Sequence, residues 1–200
     1  MKRWIKPLTL KGKYASLEPM ETSHSAELGE AARDGKLWQL WYTGVPSPET
    51  AASYVDEALD MYQQHLAMPF VVRENKSGKI IGSTRFCNID AVNQRVEIGY
   101  TWYAKTYQRT PVNTECKLML LNHAFEQLGA IAVEFRTHWH NRASRAAIAR
   151  LGAKQDGVLR NHQKSADGVY RDTVVFSIIN HEWLAVKANL RFKMDRYQHE

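Results

Sequence analysis

The sequence predicts an α/β chain in which a mixed sheet carries helices on its faces, and three observations lead to it. Apolar and polar residues alternate from Arg95 to Tyr103, the two-residue period of a strand. From Thr110 to Leu128 the apolar residues recur every three or four positions, the period of a helix. Strand and helix patterns then follow one another to the end of the chain, and runs of strand flank the long helix on both sides.

Taken in order, Leu8 to Leu17 reads as a first strand and His24 to Asp34 as a helix. A second helix is expected from Ser47 to about Gln64: Ser47 can cap it, Pro48 suits its first turn and Glu49 favours its positive end. Phe70 to Arg73 and Lys79 to Asn88 read as a hairpin around the polar turn Asn75 to Gly78. In the next strand Val96, Ile98, Tyr100 and Trp102 are expected on one face and Glu97, Gly99 and Thr101 on the other. The long helix has an apolar stripe through Val112, Cys116, Met119, Leu120, Leu121, Ala124, Phe125 and Leu128, and Gly129 ends it. Ala132 to Thr137 is a strand and Ser144 to Leu151 a short helix ended by Gly152. Strands near Ala153 to Leu159 and Tyr170 to Ile179 flank a polar loop. A last helix begins near His181 and is expected to fray from about residue 190.

Two hundred residues, 44% of them hydrophobic, suit one domain with a sizeable core, expected to span residues 1–200. No apolar run approaches the roughly 20 residues of a membrane span. The basic start MKRWIKPLTLKGKY has no apolar segment after it, so a cytoplasmic protein is expected. Two cysteines, Cys87 and Cys116, cannot build a disulfide framework. The 27 basic and 21 acidic residues leave a net charge of +6, which favours anionic partners in general. The basic residues are dispersed, without a long basic run, zinc-finger spacing or an RNA-binding aromatic signature, so nucleic acid is not the expected partner.

The segment Val96 to Leu151 carries most of the chemistry. Its loop QRTPVNTE, Gln108 to Glu115, opens the long helix with Thr110 as a cap and Pro111 in the first turn. A polar loop that feeds N–H groups into a helix start is an anion site. With the strands on either side it makes a grip for a phosphate-bearing cofactor. The plainer reading is a well-capped helix. Asn141 and Ser144 likewise form a cap pair at the start of the short helix. His138-Trp139-His140 places two imidazoles on one face of an extended chain, but no third or fourth ligand stands at a zinc spacing, so no metal is expected.

The stretch from Glu97 to Gly152 resembles the GNAT superfamily of acyl-CoA-dependent N-acetyltransferases, in particular its RimJ/RimL-like branch of ribosomal-protein acetyltransferases. LWYTGVPSPE near the front, and GAKQDGVLRNH and DGVYRDTVVFSIINHEW near the end, extend the resemblance over most of the chain. It implies six or seven mostly antiparallel strands, with two central neighbours splayed to admit the pantetheine arm. Here these would be Arg95 to Tyr103 and Ala132 to Thr137.

The resemblance also implies site residues. Acetyl-CoA would be held by Tyr100, Trp102, Gln108, Arg109, Thr110, Val112, Asn113, Thr114, Asn141 and Arg145. Arg109 and Pro111 stand at the two glycine positions of the family's pyrophosphate loop. Proline offers no N–H, so the donors become the N–H groups of Thr110, Val112, Asn113 and Thr114 with the Arg109 side chain. Asn141 would bond the pantetheine amide and Ser144 would sit near the sulfur. The tyrosine that many members carry further along this helix is absent from SRAAIARLG. Glu97 stands where some relatives hold a general base, with Asp172, His162 and Asp156 as further candidates. A lone strand glutamate is also an ordinary salt-bridged residue. Trp38, Trp41 and Tyr42, between the first two helices, would line the acceptor pocket, although such a cluster can also be plain core. The function implied is transfer of acetyl from acetyl-CoA to a primary amine, either a protein N-terminus or a small molecule, with a homodimer among the expected assemblies. The alternative is a GNAT-fold protein that binds a ligand or partner with little or no catalysis.

Overall fold

The computed structural model describes residues 3–165 and 168–197; Asp167, which opens the segment DGVYRDTVVFSIINHEW, lies outside the described residues. Eight strands form one sheet, wider than the expected six or seven: β1 (Leu10–Lys11), β2 (Ala15–Pro19), β3 (Ala67–Glu74), β4 (Ile80–Asp90), β5 (Arg95–Tyr103), β6 (Ala132–His138), β7 (Lys154–Lys164) and β8 (Tyr170–Ile179). Their order across the sheet is β1-β2-β3-β4-β5-β6-β8-β7. Every neighbouring pair is antiparallel except β5 and β6.

The extra strand arises because Leu8 to Leu17 is not one strand. The Glu115 carboxylate accepts the N–H groups of Lys13, Tyr14 and Ala15 at 2.6, 2.8 and 2.9 Å, which bends the chain between β1 and β2. A Cβ at Gly12 would meet that carboxylate at 2.4 Å, so a side chain there would push Glu115 off the bend.

Among the described residues five α-helices cover the sheet: α1 (Ser25–Arg33), α2 (Ala51–Gln63), α3 (Pro111–Asn122), α4 (Arg142–Leu151) and α5 (Trp183–Arg196). Helices α1 and α2 pack on one face around Leu28, Tyr54, Val55, Ala58 and Trp102. Helices α3, α4 and α5 pack on the other, over Phe86, Val96, Ile98, Leu120, Phe135 and Val174. Helix α2 starts at Ala51, later than expected, because Ser47 and Thr50 bond each other in a preceding turn. Helix α3 runs on through a π-helical turn, 123–127, to Gly129 at φ 66°. Helix α4 begins at Arg142 rather than Ser144, since Asn141 is its cap. Helix α5 buries Leu190 and Met194, which orders it beyond residue 190, where fraying was expected. Among the described residues no helix is long and apolar enough to cross a membrane.

One feature of β5 overturns the alternation read from its sequence. Ser83 pairs with Trp102 and Arg85 with Gly99, so Thr84 alone opposes both Tyr100 and Thr101. Tyr100 takes the extra place at φ 52°, and this β-bulge reverses the faces beyond it. Val96 and Ile98 lie in the α3 core, whereas Trp102 turns to the α1 and α2 face and donates from Nε1 to the Tyr54 hydroxyl at 3.3 Å. Tyr100 is half-exposed, with its ring against the Arg85 guanidinium.

Candidate active site

Strands β5 and β6 separate as the resemblance implies. They pair only at Arg95 with Ala132, Val96 with Val133 and Glu97 with Glu134, although β5 continues to Tyr103 and β6 to His138. Beyond Glu97 their facing edges carry backbone N–H and C=O groups with no strand partner. Such groups need partners when water is excluded. An extended arm with amide groups, such as pantetheine, can supply them, so the cleft fits the co-substrate the family resemblance implies.

Glu97 lies at the vertex of this cleft and is 7% exposed. Its Oε2 accepts from Asn88 Nδ2 at 2.7 Å and faces Arg136 Nε at 3.4 Å. Its Oε1 has no hydrogen-bond partner among the described residues and lies over Gly99, where an added Cβ would stand 3.0 Å from it. Burial raises the Glu97 pKa against the opposing effects of Asn88 and Arg136. The sheet brings Arg136 of β6 and Arg171 of β8 to the same face. Arg136 also donates to Glu134 at 3.0 Å, and Arg171 acts on Glu97 through space.

At the mouth of α3, Thr110 Oγ1 accepts from Val112 N at 3.4 Å and donates to the Tyr107 carbonyl at 2.7 Å. The N–H of Thr114 closes the first helical turn. Of the expected donors, therefore, Asn113 and Thr110 keep N–H groups outside the helix ladder, and Val112 contributes its side chain to the core. Thr114 is buried with its hydroxyl unpartnered. Arg109 is exposed at φ 61°, a conformation natural to glycine. That agrees with a glycine at this place in the family pattern. The Gln108 side chain is turned back, donating to the Tyr103 carbonyl at 3.0 Å.

At the other end of β6, Asn141 Oδ1 accepts from Ser144 N at 3.0 Å. Arg145 donates to the Trp139 carbonyl at 3.2 Å and lies 4.3 Å above its ring. His138 Nδ1 accepts from His140 N at 3.0 Å, so this imidazole orders a turn. Trp41 packs edge-on against His138, with ring centroids 4.9 Å apart, and Tyr42 lies 6.2 Å from the same ring. Two of the three expected acceptor residues thus lie against the C-terminal end of β6. The third, Trp38, packs with the core of α1 and α2. Of the further base candidates, Asp172 is paired with Arg160, Asp156 accepts from Ser177 and His162 bonds Thr173.

Sequence reasoning missed Asn88, Arg136 and Arg171 around Glu97. The strand AVEFRT does alternate, with Val133 and Phe135 in the core and Glu134 and Arg136 opposite. That pattern places Arg136 on the Glu97 face, once the strand order is known.

The acetyltransferase (GNAT) domain family matches residues 16–154 of the chain. The chain is 28% identical over 171 residues to "Putative ribosomal N-acetyltransferase YdaF" of Bacillus subtilis, covering 84% of this chain and 90% of that protein. A crystal structure of a GCN5-related N-acetyltransferase from Brucella melitensis superposes with a TM-score of 0.84 at 27% identity, over 95% of this chain and 86% of that one. At 20% identity, Mycobacterium smegmatis RimJ in complex with CoA-disulfide shares the fold, with a TM-score of 0.74 over 94% of this chain and 93% of that one. The parted strands, the bulge beside them and the match across most of the chain have one common meaning: this protein belongs to the GNAT acetyltransferase family.

Proposed function

We propose that the chain transfers acetyl from acetyl-CoA to a primary amine by direct attack of the amine on the thioester, working as one domain in the cytoplasm. The observation that carries this is the unpaired Oε1 of Glu97, held at the vertex of a cleft whose edges lack strand partners. Asn88 and Arg136 fix the other oxygen, so the free one is presented in a single orientation.

Three tasks follow from the chemistry. The amine must lose a proton, and an α-amine has a solution pKa of about 8. A carboxylate whose own pKa is raised by burial accepts that proton better than an exposed one. The oxyanion needs a donor, which the backbone at the Tyr100 bulge, Tyr100 to Trp102, can provide. The departing thiolate needs a proton, and Ser144 or water supplies it. No covalent enzyme intermediate is involved, and the buried Cys87 and Cys116 fit no nucleophilic role: burial pushes the Cys87 thiol well up and the Cys116 thiol to about 12. The RimJ neighbour, described with CoA-disulfide, supports the assignment of the cleft to CoA. A ribosomal acceptor, after the description of YdaF as a ribosomal N-acetyltransferase, is the second reading.

The test combines mass spectrometry of the native protein for co-purified CoA with thermal melting. Saturating acetyl-CoA stabilises a native state that binds it by mass action, and thiol release follows over a panel of amines. A melting temperature that acetyl-CoA leaves unmoved, with no heat of binding, removes the co-substrate. Binding without thiol release for any amine would leave a ligand-binding protein.

A further inference from the structure

Arg85, in the middle of β4, is a fully buried cation with no anion. It is 0% exposed, and no carboxylate of the described residues pairs with it. Its guanidinium lies between two rings, 4.6 Å from the centroid of Tyr54 and 4.2 Å from that of Tyr100. Nη1 faces Met61 Sδ at 3.4 Å, Nη2 donates to the Tyr54 carbonyl at 3.5 Å, and Nε has no acceptor. A guanidinium has five donors and stays charged at any ordinary pH. Two tyrosine faces offset part of the desolvation, but most of its donors remain without good acceptors, and a buried charge left in this state is costly.

The surroundings show where an acceptor would come from. Arg85 pairs across the sheet with Gly99, which has no side chain, and Glu97 pairs with Cys87, the next residue on the same face of β4. The free Oε1 of Glu97 leans over Gly99. A base and a bare cation therefore share one face, and the Cys87 thiol lies there with them, 3.0 Å from the same Cβ position at Gly99. Direct pairing between them is absent. On the outer side the cover is Tyr100, a 47% exposed residue that sits on the bulge. A second cation, Arg171, is half-buried with its Nε unpartnered, and its charge acts on both Glu97 and Tyr100. Glu57, on the same side of α2 as Tyr54, makes no ion pair with Arg85.

We propose that the acceptor is a small amine that carries its own carboxylate, an amino acid or a close relative. Its carboxylate is taken by the planar fork of Arg85 when the Tyr100 ring turns aside, and its amine then lies at Glu97. This rests on the acetyl-transfer reading of the site and names the substrate class for it. The C–N bond forms as the C–S bond of the thioester breaks; one amine proton passes to Glu97, and the thiolate takes a proton from Ser144 or water. A planar carboxylate matches one guanidinium in two parallel bonds. A peptide N-terminus has an amide at the corresponding place and cannot make them.

The experiment measures thiol release with each proteinogenic amino acid and with its matched amino-acid amide, and in parallel the calorimetric binding of N-acetyl amino acids and N-acetyl amino-acid amides. We expect at least a tenfold preference in kcat/KM for one or more acids over their amides. In Arg85→Met the preference should fall to within twofold, mainly through KM; Arg85→Lys, which keeps the charge in the core but loses the fork, should retain part of it and covers the case in which Arg85→Met does not fold. Amides used as well as acids, turnover confined to peptide N-termini, or a preference unchanged in both variants would overturn the proposal. If no amine turns over, N-acetyl amino acids that bind while their amides do not would uphold the anion site and remove only the acetyl-transfer reading. No binding of either would remove the anion site as well.

Discussion

Glu97 and Gly99 divide one space between them: the carboxylate leans into the volume that a side chain at Gly99 would fill, 3.0 Å from the position of its Cβ. The orientation is set from behind, by Asn88 on Oε2 at 2.7 Å. Burial holds the Glu97 pKa above that of an ordinary glutamate, and the Asn88 bond opposes the rise.

The pH profile separates these effects. A base must be ionised to work, so activity should fall as the pH drops through the Glu97 pKa. Glu97→Gln should lower turnover by about 10²-fold or more, the usual worth of a positioned base, and the lower limb should vanish from the profile. Asn88→Ala removes a bond that lowers the pKa, so the limb should move to higher pH while acetyl-CoA affinity stays unchanged. A limb that stays in place in both variants assigns the titration to another group.

Much of this architecture is legible in the sequence because periodicity is local. The α3 stripe, the Gly129 and Gly152 stops and the strand at Ala132 each depend on residues a few positions apart. The Tyr100 bulge is not legible, since EIGYTWY continues a perfect alternation. Only the pairing against Thr84 across the sheet creates it. The split of the first strand depends on Glu115, a hundred residues away in the chain. The loop QRTPVNTE reads as a helix start, and the structure shows its last glutamate tying the N-terminal turn to α3. Glu97 was identified by resemblance, but its partners come from β4, β6 and β8. Arg85 carries no sequence signal, because strand alternation does not say which polar residue will be covered by a helix.

Lys117 provides a test of burial. The residue is 5% exposed within α3, and its ammonium bonds the Thr84 and Thr101 hydroxyls at 3.3 and 2.5 Å, with no ion-pair partner among the described residues. Desolvation lowers its pKa to about 7. Between pH 7 and the ordinary lysine value the unfolded chain holds the proton and the folded one does not, so in this window the contribution of Lys117 to stability rises with pH. Below pH 7 the cost of the buried charge is greatest, at most about 5 kcal/mol. Lys117→Met should therefore raise the melting temperature more at pH 6 than at pH 9. Taking the difference between variant and wild type at each pH cancels the thiols and Tyr103, whose raised pKa values act in the opposite direction. A gain independent of pH would mean that Lys117 keeps its proton in the fold across this range, with no lowered pKa.

Arg109 faces solvent at φ 61°, where a residue with a Cβ costs about 1–2 kcal/mol. Arg109→Gly should leave the melting temperature equal or slightly higher. If the guanidinium meets the pyrophosphate, the same change should weaken CoA by about tenfold, the loss of one charge-assisted bond, and leave pantetheine, which lacks the pyrophosphate, unaffected. Calorimetry with the two ligands decides this. Equal loss for both would indicate a disturbed loop, and no loss for either a solvent-facing arginine.

Trp41 is 61% exposed yet packs edge-on against His138. A large ring kept at the surface beside the C-terminal end of β6 contributes little to the core and can wall a pocket with a polar edge. Trp41→Ala should cost about 1 kcal/mol or less in stability, as exposed substitutions do. The KM for the amine should rise severalfold, and the affinity for acetyl-CoA should stay within twofold of wild type. Steady-state kinetics over an amine titration and calorimetry with acetyl-CoA separate the two. A folded variant with wild-type kinetics for the identified amine would place the acceptor away from Trp41, toward the loop joining β7 to β8. A variant that fails to fold would make the ring part of the core, despite its exposure.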